Sequence, residues 1–455
     1  MTPYPASRLA LAASSCIAVK AILWLGYGPL FGHDTYLYQD IALQFKSLDL
    51  SLYCGVRPPV YPAFLLLTGM DYGFLVLAQQ ALGLLGVVLL FDAAWRLTRS
   101  SWVAVASAIG SGLALNLVLI EFCMLTETLS GFLVTYSFWL LVRVRDAARS
   151  AFVFCILLGI ATSLAGLTRP NLLIMIPVYG VFLALPRFHR NTGRAVAIRV
   201  AAYAAPCALL ILGWCAFNKW QVGSFTPTTA TGYHLTQHAG AFMEDAPDEF
   251  AALRDVYLKH RERFISGSGS HIGAIWRAFP EMQERTGLSF ARISSELTTL
   301  SLRLCVGHPV RYLVSAASAW AHFWSAPAIW SPQEAAPWLA SAINLLWLIQ
   351  RPLWIAVNAA FLGLAAFTMW MGLMGRRPVL AAPCLMCLLG LVLIASVFQA
   401  LVEIGENGRF SIPFQPLIIL AVVIGCQDLV RALRGPSDGQ GALTRLFARR
   451  VNHAD

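Results

Sequence analysis

Long apolar runs are the feature that most limits what this chain can become. Residues 102–120, 125–142 and 378–400 are almost free of charge, and about 20 apolar residues suffice to cross a bilayer as a helix. The whole chain is 58% hydrophobic and only 12% charged over 455 residues. A soluble domain carries roughly 25% charged residues, so there is too little polar surface here to cover a body of this size. The runs are continuous rather than alternating in ten-residue units, which predicts an α-helical rather than a β-barrel membrane protein.

The net charge of +10 needs no nucleic acid to explain it. Seventeen of the 33 Lys and Arg fall in clusters beside helix ends: Arg8; Arg96 and Arg99; Arg143, Arg145 and Arg149; Arg187, Arg190, Arg194 and Arg199; Arg376 and Arg377; and Arg431, Arg434, Arg445, Arg449 and Arg450. Positive charge in short loops marks the cytoplasmic side. That orientation predicts an uncleaved first helix at 9–30, followed by an outer loop at 32–72. In this loop Leu37, Ile41, Phe45 and Leu48 recur at helical spacing, as in an interfacial helix. Spans follow at 73–95, 102–120, 125–142, 151–167, 171–185 and 200–217. A polar stretch at 218–307 reads as a soluble outer insert. Segments 310–329 and 338–349 either both cross or both stay outside, and further spans lie at 353–374, 378–400 and 412–430. The sum is about 10–12 helices in one membrane domain, 1–430, with a basic cytoplasmic tail at 431–455.

Ten cysteines are present, most of them inside spans, where Cys behaves as a small hydrophobe. Cys384 and Cys387 form a CxxC within an apolar helix, a poor setting for redox or metal chemistry. Cys54, Cys123 and Cys305 are expected on the outer side, where one pair could oxidise. His234 and His238 stand four apart without an HExxH context, and read as loop histidines rather than metal ligands. There is no Walker loop, GxGxxG or GxSxG, so the common nucleotide and hydrolase chemistries lack support.

Charges at membrane edges are costly and therefore candidates for function. Asp34, Arg57, Glu127, Arg169, Glu403, Glu406 and Arg409 all fall at the outer helix ends, although they are scattered along the sequence. Asp34 precedes the amphipathic helix and reads either as its N-cap or as a general base. Glu127 sits just inside a span, where an unpaired carboxylate would be desolvated. Arg57, Arg169 and Arg409 each lie near a proline at a helix break, and a guanidinium fork suits a phosphate without a metal. Cations for a departing phosphate and a carboxylate for the acceptor's proton are parts for group transfer.

The segments HDTYLYQDIA, RPPVYPAFLLL, LTETL, LTRPNLL and NGRFSIPFQPLIIL resemble, in order, those of the GT-C membrane glycosyltransferases that take a sugar from a polyprenyl-phosphate carrier. The bacterial group similar to protein O-mannosyltransferases and the lipid A aminoarabinose transferase is the nearest likeness. The resemblance implies a GT-C-like bundle in a bacterial-type inner membrane, with its site facing the periplasm or exterior. It implies an inverting glycosyltransferase of the hexosyl- or pentosyltransferase class, with Asp34 as the catalytic general base, Glu127 as a second acidic catalytic residue, and Arg57, Arg169 and Arg409 at the donor phosphate. His33, Tyr38, Tyr61, Glu406, Tyr233 and His234 are candidate cavity residues. Thr35 stands where many relatives carry a second acid, so no metal or other cofactor is expected. The partners implied are the polyprenyl-phosphate sugar, an extracytoplasmic saccharide, lipid or protein acceptor, and membrane lipids. A transporter or flippase for lipid-linked saccharides is the alternative, although the sequence lacks the repeated halves such folds display.

Overall fold

The computed structural model describes residues 4–146, 150–185, 193–375, 380 and 382–433. Arg149, Arg187, Arg190, Arg376, Arg377 and the tail from 434 onward lie outside the described residues, as does the side chain of His33. The described chain is helical, and its only strand-type pairings are two isolated bridges, Tyr27 with Ala335 and Leu30 with Cys123. The chain is a polytopic membrane protein.

In chain order the helices are α1 (Ala6–Gly26), α2 (His33–Ser47), α3 (Val60–Leu67), α4 (Tyr72–Thr98), α5 (Ser101–Gly112), α6 (Leu115–Ile120), α7 (Glu127–Asp146), α8 (Ala151–Gly166), α9 (Met175–Ala184), α10 (Gly193–Val222), α11 (Thr231–Ala239), α12 (Ala251–Ser268), α13 (Ala274–Thr286), α14 (Phe290–Gly307), α15 (Pro309–Phe323), α16 (Pro337–Leu373), α17 (Pro383–Val402), α18 (Asn407–Ser411) and α19 (Gln415–Leu433). Among the described residues, six helical stretches are long and apolar enough to cross a membrane. Four shorter or more polar elements run between them: α5 with α6, α7, α8, and a 3-10 turn at Pro170–Ile174 that leads into α9.

Local chemistry sets several boundaries. Asp71 caps α4 by accepting the Phe74 N–H at 2.7 Å, and Arg99 ends the same helix in the left-handed region. Leu48 does the same for α2, so it is exposed rather than part of the apolar stripe; Leu37, Ile41 and Phe45 pack with Tyr53 and Val56. The run at 102–120 is broken at Leu113 and Ala114 into α5 and α6. A helix break in lipid must find partners for its freed backbone groups, and Gln350 of α16 supplies them. Its Oε1 accepts from Leu115 N at 2.9 Å and its Nε2 donates to Leu113 O at 3.2 Å.

Two expected boundaries are corrected, and the cysteines are found unpaired. Segments 338–349 and 353–374 form one 37-residue helix, α16; Pro352 removes a single N–H, and the apolar residues on both sides keep the helix together. The insert begins after Val222, because Asn218 is wholly buried inside α10, accepting from Tyr53 and donating to Thr226 O. All ten cysteines are free, so no outer pair is joined.

Contacts at both ends anchor α15. The chain entering it is tied to the insert through His308 and Asp245, 3.1 Å apart, and the chain leaving it returns to Tyr27 at the end of α1. A 15-residue helix is only about 22 Å long, short of a membrane span. The insert packs α11–α14 around its own core of Tyr233, Phe242, Tyr257, Ile275, Met282 and Leu297.

Gln350→Leu is expected to lower the thermal midpoint of the detergent-purified protein, because it strands a donor and an acceptor costing about 1–3 kcal/mol each. Trp354→Phe, which removes only a 3.1 Å bond to Gln350, should cost much less. Equal midpoints for Gln350→Leu and the parent chain would show that the break is satisfied in another way.

Candidate active site

The start of α2 is fixed without help from Asp34. Gly32 is the N-cap, and the Thr35 hydroxyl accepts the Gly32 N–H at 2.9 Å while donating to Met124 O at 3.1 Å. Asp34 is therefore not a cap, and its carboxylate is free for other work. Thr35 is wholly engaged in this junction, which also explains why a second acid is dispensable to the fold here.

Both oxygens of Asp34 face guanidiniums. Arg57, from the loop before α3, donates to Oδ1 at 2.7 Å, and Arg409 of α18 lies 3.1 Å from Oδ2. Arg409 also pairs with Glu127 through Nε and with Glu406 at 2.7 Å. Glu127 opens α7 with its side chain fully enclosed, and its second partner is Arg169, 2.8 Å away. The Arg169 guanidinium in turn lies over the Phe410 ring, 4.4 Å from its centre. Three arginines and three carboxylates thus form one neutral cluster drawn from five parts of the chain. Burial would push the Asp34 pKa up, but Arg57, Arg409 and the more distant Arg169 outweigh it and hold the carboxyl below the ordinary aspartate range.

The remaining candidates divide. Tyr38 lies under the Arg57 guanidinium, and Tyr61 packs edge-on against Tyr38, their ring centres 5.0 Å apart. Tyr61 is completely buried and reaches Gln79 at 3.5 Å, so it is wall behind the cluster rather than cavity surface. Glu406 is largely exposed at the rim. Tyr233 turns away: it stacks between Trp276 and Phe290 in the insert core, and its hydroxyl donates to Phe290 O. His234 turns inward, with Nδ1 3.2 Å from Glu403 Oε2. His234 and His238 are helical rather than loop residues, both belonging to α11.

Sequence reasoning placed Glu403 among the outer charges but missed its partners. Gln399 and Gln237 donate to its two oxygens at 3.2 and 3.4 Å. Burial opposes ionisation, yet His234 and then Arg57 keep the Glu403 pKa low. A second omission is Lys20, which forms a buried ion pair with Glu121; the signal was its position as a lone charge in an apolar helix. Gln79 braces the same stretch by donating to Glu121 O and Cys123 O at 2.8 and 2.9 Å. Among the described residues, no three His, Cys, Asp or Glu side chains converge as metal ligands.

The sequence matches no protein-family model and no curated protein. Its fold is similar to that of solved membrane enzymes. The apo oligosaccharyltransferase of Archaeoglobus fulgidus superposes with a TM-score of 0.50 at 13% identity, over 97% of this chain and 53% of that one. A structure of the archaeal oligosaccharyltransferase AglB from that organism, with an inhibitory peptide and a dolichol-phosphate, gives 0.49 at 13% identity and the same coverage. ArnT from Cupriavidus metallidurans bound to undecaprenyl phosphate gives 0.36 at 15% identity, over 92% of this chain and 78% of that one. The chain spans about half the length of the oligosaccharyltransferase. What is shared at this identity is the fold.

One group near the cluster has a clear pH signature. His238 is fully enclosed, bonded through Nδ1 to Ser315 at 2.8 Å, and burial pushes its pKa down to about 4. Its folded pKa lies below the unfolded value of about 6.5, so the unfolded chain binds more protons between these values. Stability is full above about pH 6.5 and is lost as pH falls toward 4, by on the order of 3 kcal/mol. Hydrogen exchange of α11 should therefore accelerate over that window, and His238→Gln should flatten the dependence. An unchanged profile in the variant would exonerate His238.

Proposed function

We propose that this protein is a membrane glycosyltransferase that moves a sugar from a polyprenyl-phosphate donor to an acceptor, with inversion at the anomeric carbon. The observation that carries this reading is the convergence of Arg57, Arg169 and Arg409 on Asp34 and Glu127 at one end of the bundle. The fold it shares with an oligosaccharyltransferase supports the same class. The Arg-rich short loops support an orientation with that end outside a bacterial-type inner membrane, where a lipid-borne donor and a polar acceptor can meet.

The acceptor's hydroxyl or amine attacks the anomeric carbon. The new bond forms as the bond to the phosphate oxygen breaks, Asp34 takes the acceptor's proton, and polyprenyl phosphate leaves as an anion. Arg57, Arg169 and Arg409 stabilise the charge that grows on the phosphate, so no general acid is required on the leaving side. Before the donor arrives, guanidiniums occupy both Asp34 oxygens and suppress its basicity. A phosphate competes for the same forks. As the arginines turn to it, the Asp34 carboxylate is freed and becomes more basic, which ties base strength to donor binding.

Asp34→Asn should reduce transfer by on the order of 10² to 10⁴ while polyprenyl phosphate still binds. The measurement is release of labelled sugar from a polyprenyl-phosphate donor by protein in nanodiscs, with membrane extract as the acceptor source. Arg57→Ala should weaken donor binding and slow the step as well, since charge on the phosphate increases toward the transition state. Near-normal turnover by Asp34→Asn would remove it as the base, and donor binding without any turnover by the parent chain would favour a flippase.

A further inference from the structure

Beside the arginine cluster, the insert presents a second set of groups that the transfer step does not use. Helix α11 is fastened to the loop that carries Arg57: Thr229 N donates to Gly55 O at 3.0 Å, and the hydroxyls of Thr229 and Thr228 donate to Cys54 O and Val56 O at 2.8 and 2.9 Å. Gly55 adopts a φ of +78°, and a Cβ there would meet the Thr229 side chain at 2.9 Å, so the close approach requires glycine. One turn into α11, His234 is held beside Glu403, whose own carboxylate attracts Arg57. Both Glu403 oxygens are already engaged by Gln399, Gln237 and His234. Glu403 is thus a positioning residue. Its carboxylate lies 3.2 Å from Nδ1, so Nε2 of His234 is the nitrogen left for a ligand.

Next to His234 stands Trp276 of α13, ring centres 5.8 Å apart and the planes at 73°. Trp276 is 37% exposed, although one face of its ring is stacked on Tyr233 at 5.2 Å and Tyr233 on Phe290 at 4.4 Å. Backing of this kind fixes the indole as a platform. An aromatic face beside a hydrogen-bonding imidazole matches a pyranose, whose C–H face is apolar and whose rim is hydroxyl.

We infer that Trp276 and His234, with Glu403 behind them, form an acceptor subsite that binds a saccharide and presents one of its hydroxyls to the Asp34 cluster. This rests on the glycosyl-transfer reading above and specifies its acceptor class. Trp276 stacks on the sugar ring, His234 Nε2 bonds a ring hydroxyl, and the threonine fastening keeps this subsite in register with Arg57.

The test uses full-length protein in nanodiscs, saturation-transfer NMR with a panel of methyl pyranosides and a serine-containing hexapeptide, and a parallel assay of polyprenyl phosphate binding. At least one pyranoside should bind the parent chain. Trp276→Ala and His234→Gln should each weaken it tenfold or more, whereas Trp276→Phe should retain most of the affinity. Glu403→Gln should retain more than Glu403→Ala, as a positioning role requires. The Trp276 and His234 variants should bind polyprenyl phosphate normally, which also certifies their fold, while Arg57→Ala should lose the phosphate and keep the pyranoside. Absence of pyranoside binding, binding indifferent to Trp276 and His234, or preference for the peptide would overturn the subsite. Pyranoside binding that depends on Trp276 in a chain that ignores polyprenyl phosphate would instead overturn the donor assignment and leave the subsite standing.

Discussion

A charge at a membrane edge survives only if it is paired, and the rest of this structure is arranged around that requirement. Arg409 meets it for three carboxylates at once, touching Asp34, Glu127 and Glu406. It thereby joins the first polar loop, the start of α7 and the last helix break into one unit. Removing a partner from a buried pair leaves an uncompensated ion, typically at a cost of about 3–5 kcal/mol. The cluster therefore constrains the ends of several helices more tightly than apolar packing, which would tolerate sliding.

Secondary consequences follow through the backbone. The stretch from Glu121 to Thr126 carries the chain into Glu127, and it is held from three sides: by Lys20 on Glu121, by Gln79 on two carbonyls, and by Thr35 on Met124 O. Gln350 performs the same kind of service at the break between α5 and α6. In water such groups would be satisfied by solvent, but in lipid each needs a protein partner. Polar side chains inside this bundle therefore mark places where the helices depart from regularity, and those departures aim the site residues at one another.

This explains what the sequence revealed and what it hid. Membrane length, Arg-rich ends and the position of Asp34, Arg57, Glu127, Arg169 and Arg409 at helix ends were legible because each depends on local composition. The single helix across Pro352 was not, since proline's local penalty was overcome by the apolar residues flanking it. Asp34 as a cap failed for a similar reason: the helix starts two residues earlier, with Gly32 as its N-cap and the Thr35 hydroxyl accepting the Gly32 N–H. Pairings such as Lys20 with Glu121, or His234 with Glu403, join residues 101 and 169 positions apart. No periodicity reports on contacts of that range, and only the presence of a lone polar residue in an apolar setting hinted at them.

The neutrality of the cluster has a consequence for the order of binding. A ligand phosphate brings negative charge to arginines that already have counter-ions, so it gains only the difference between its own contacts and those of the carboxylates it displaces. Glu127 is fully enclosed and holds Arg169 and Arg409 from below, whereas Asp34 and Glu406 are partly or largely exposed. The exchange is cheapest at the exposed carboxylates, where water can solvate the released charge. Glu127 thus serves as the fixed anchor that keeps two guanidiniums together, and Asp34 is the carboxylate that gives way. Of the two acids, the one that can change partners is the one the proposed mechanism assigns to take up a proton.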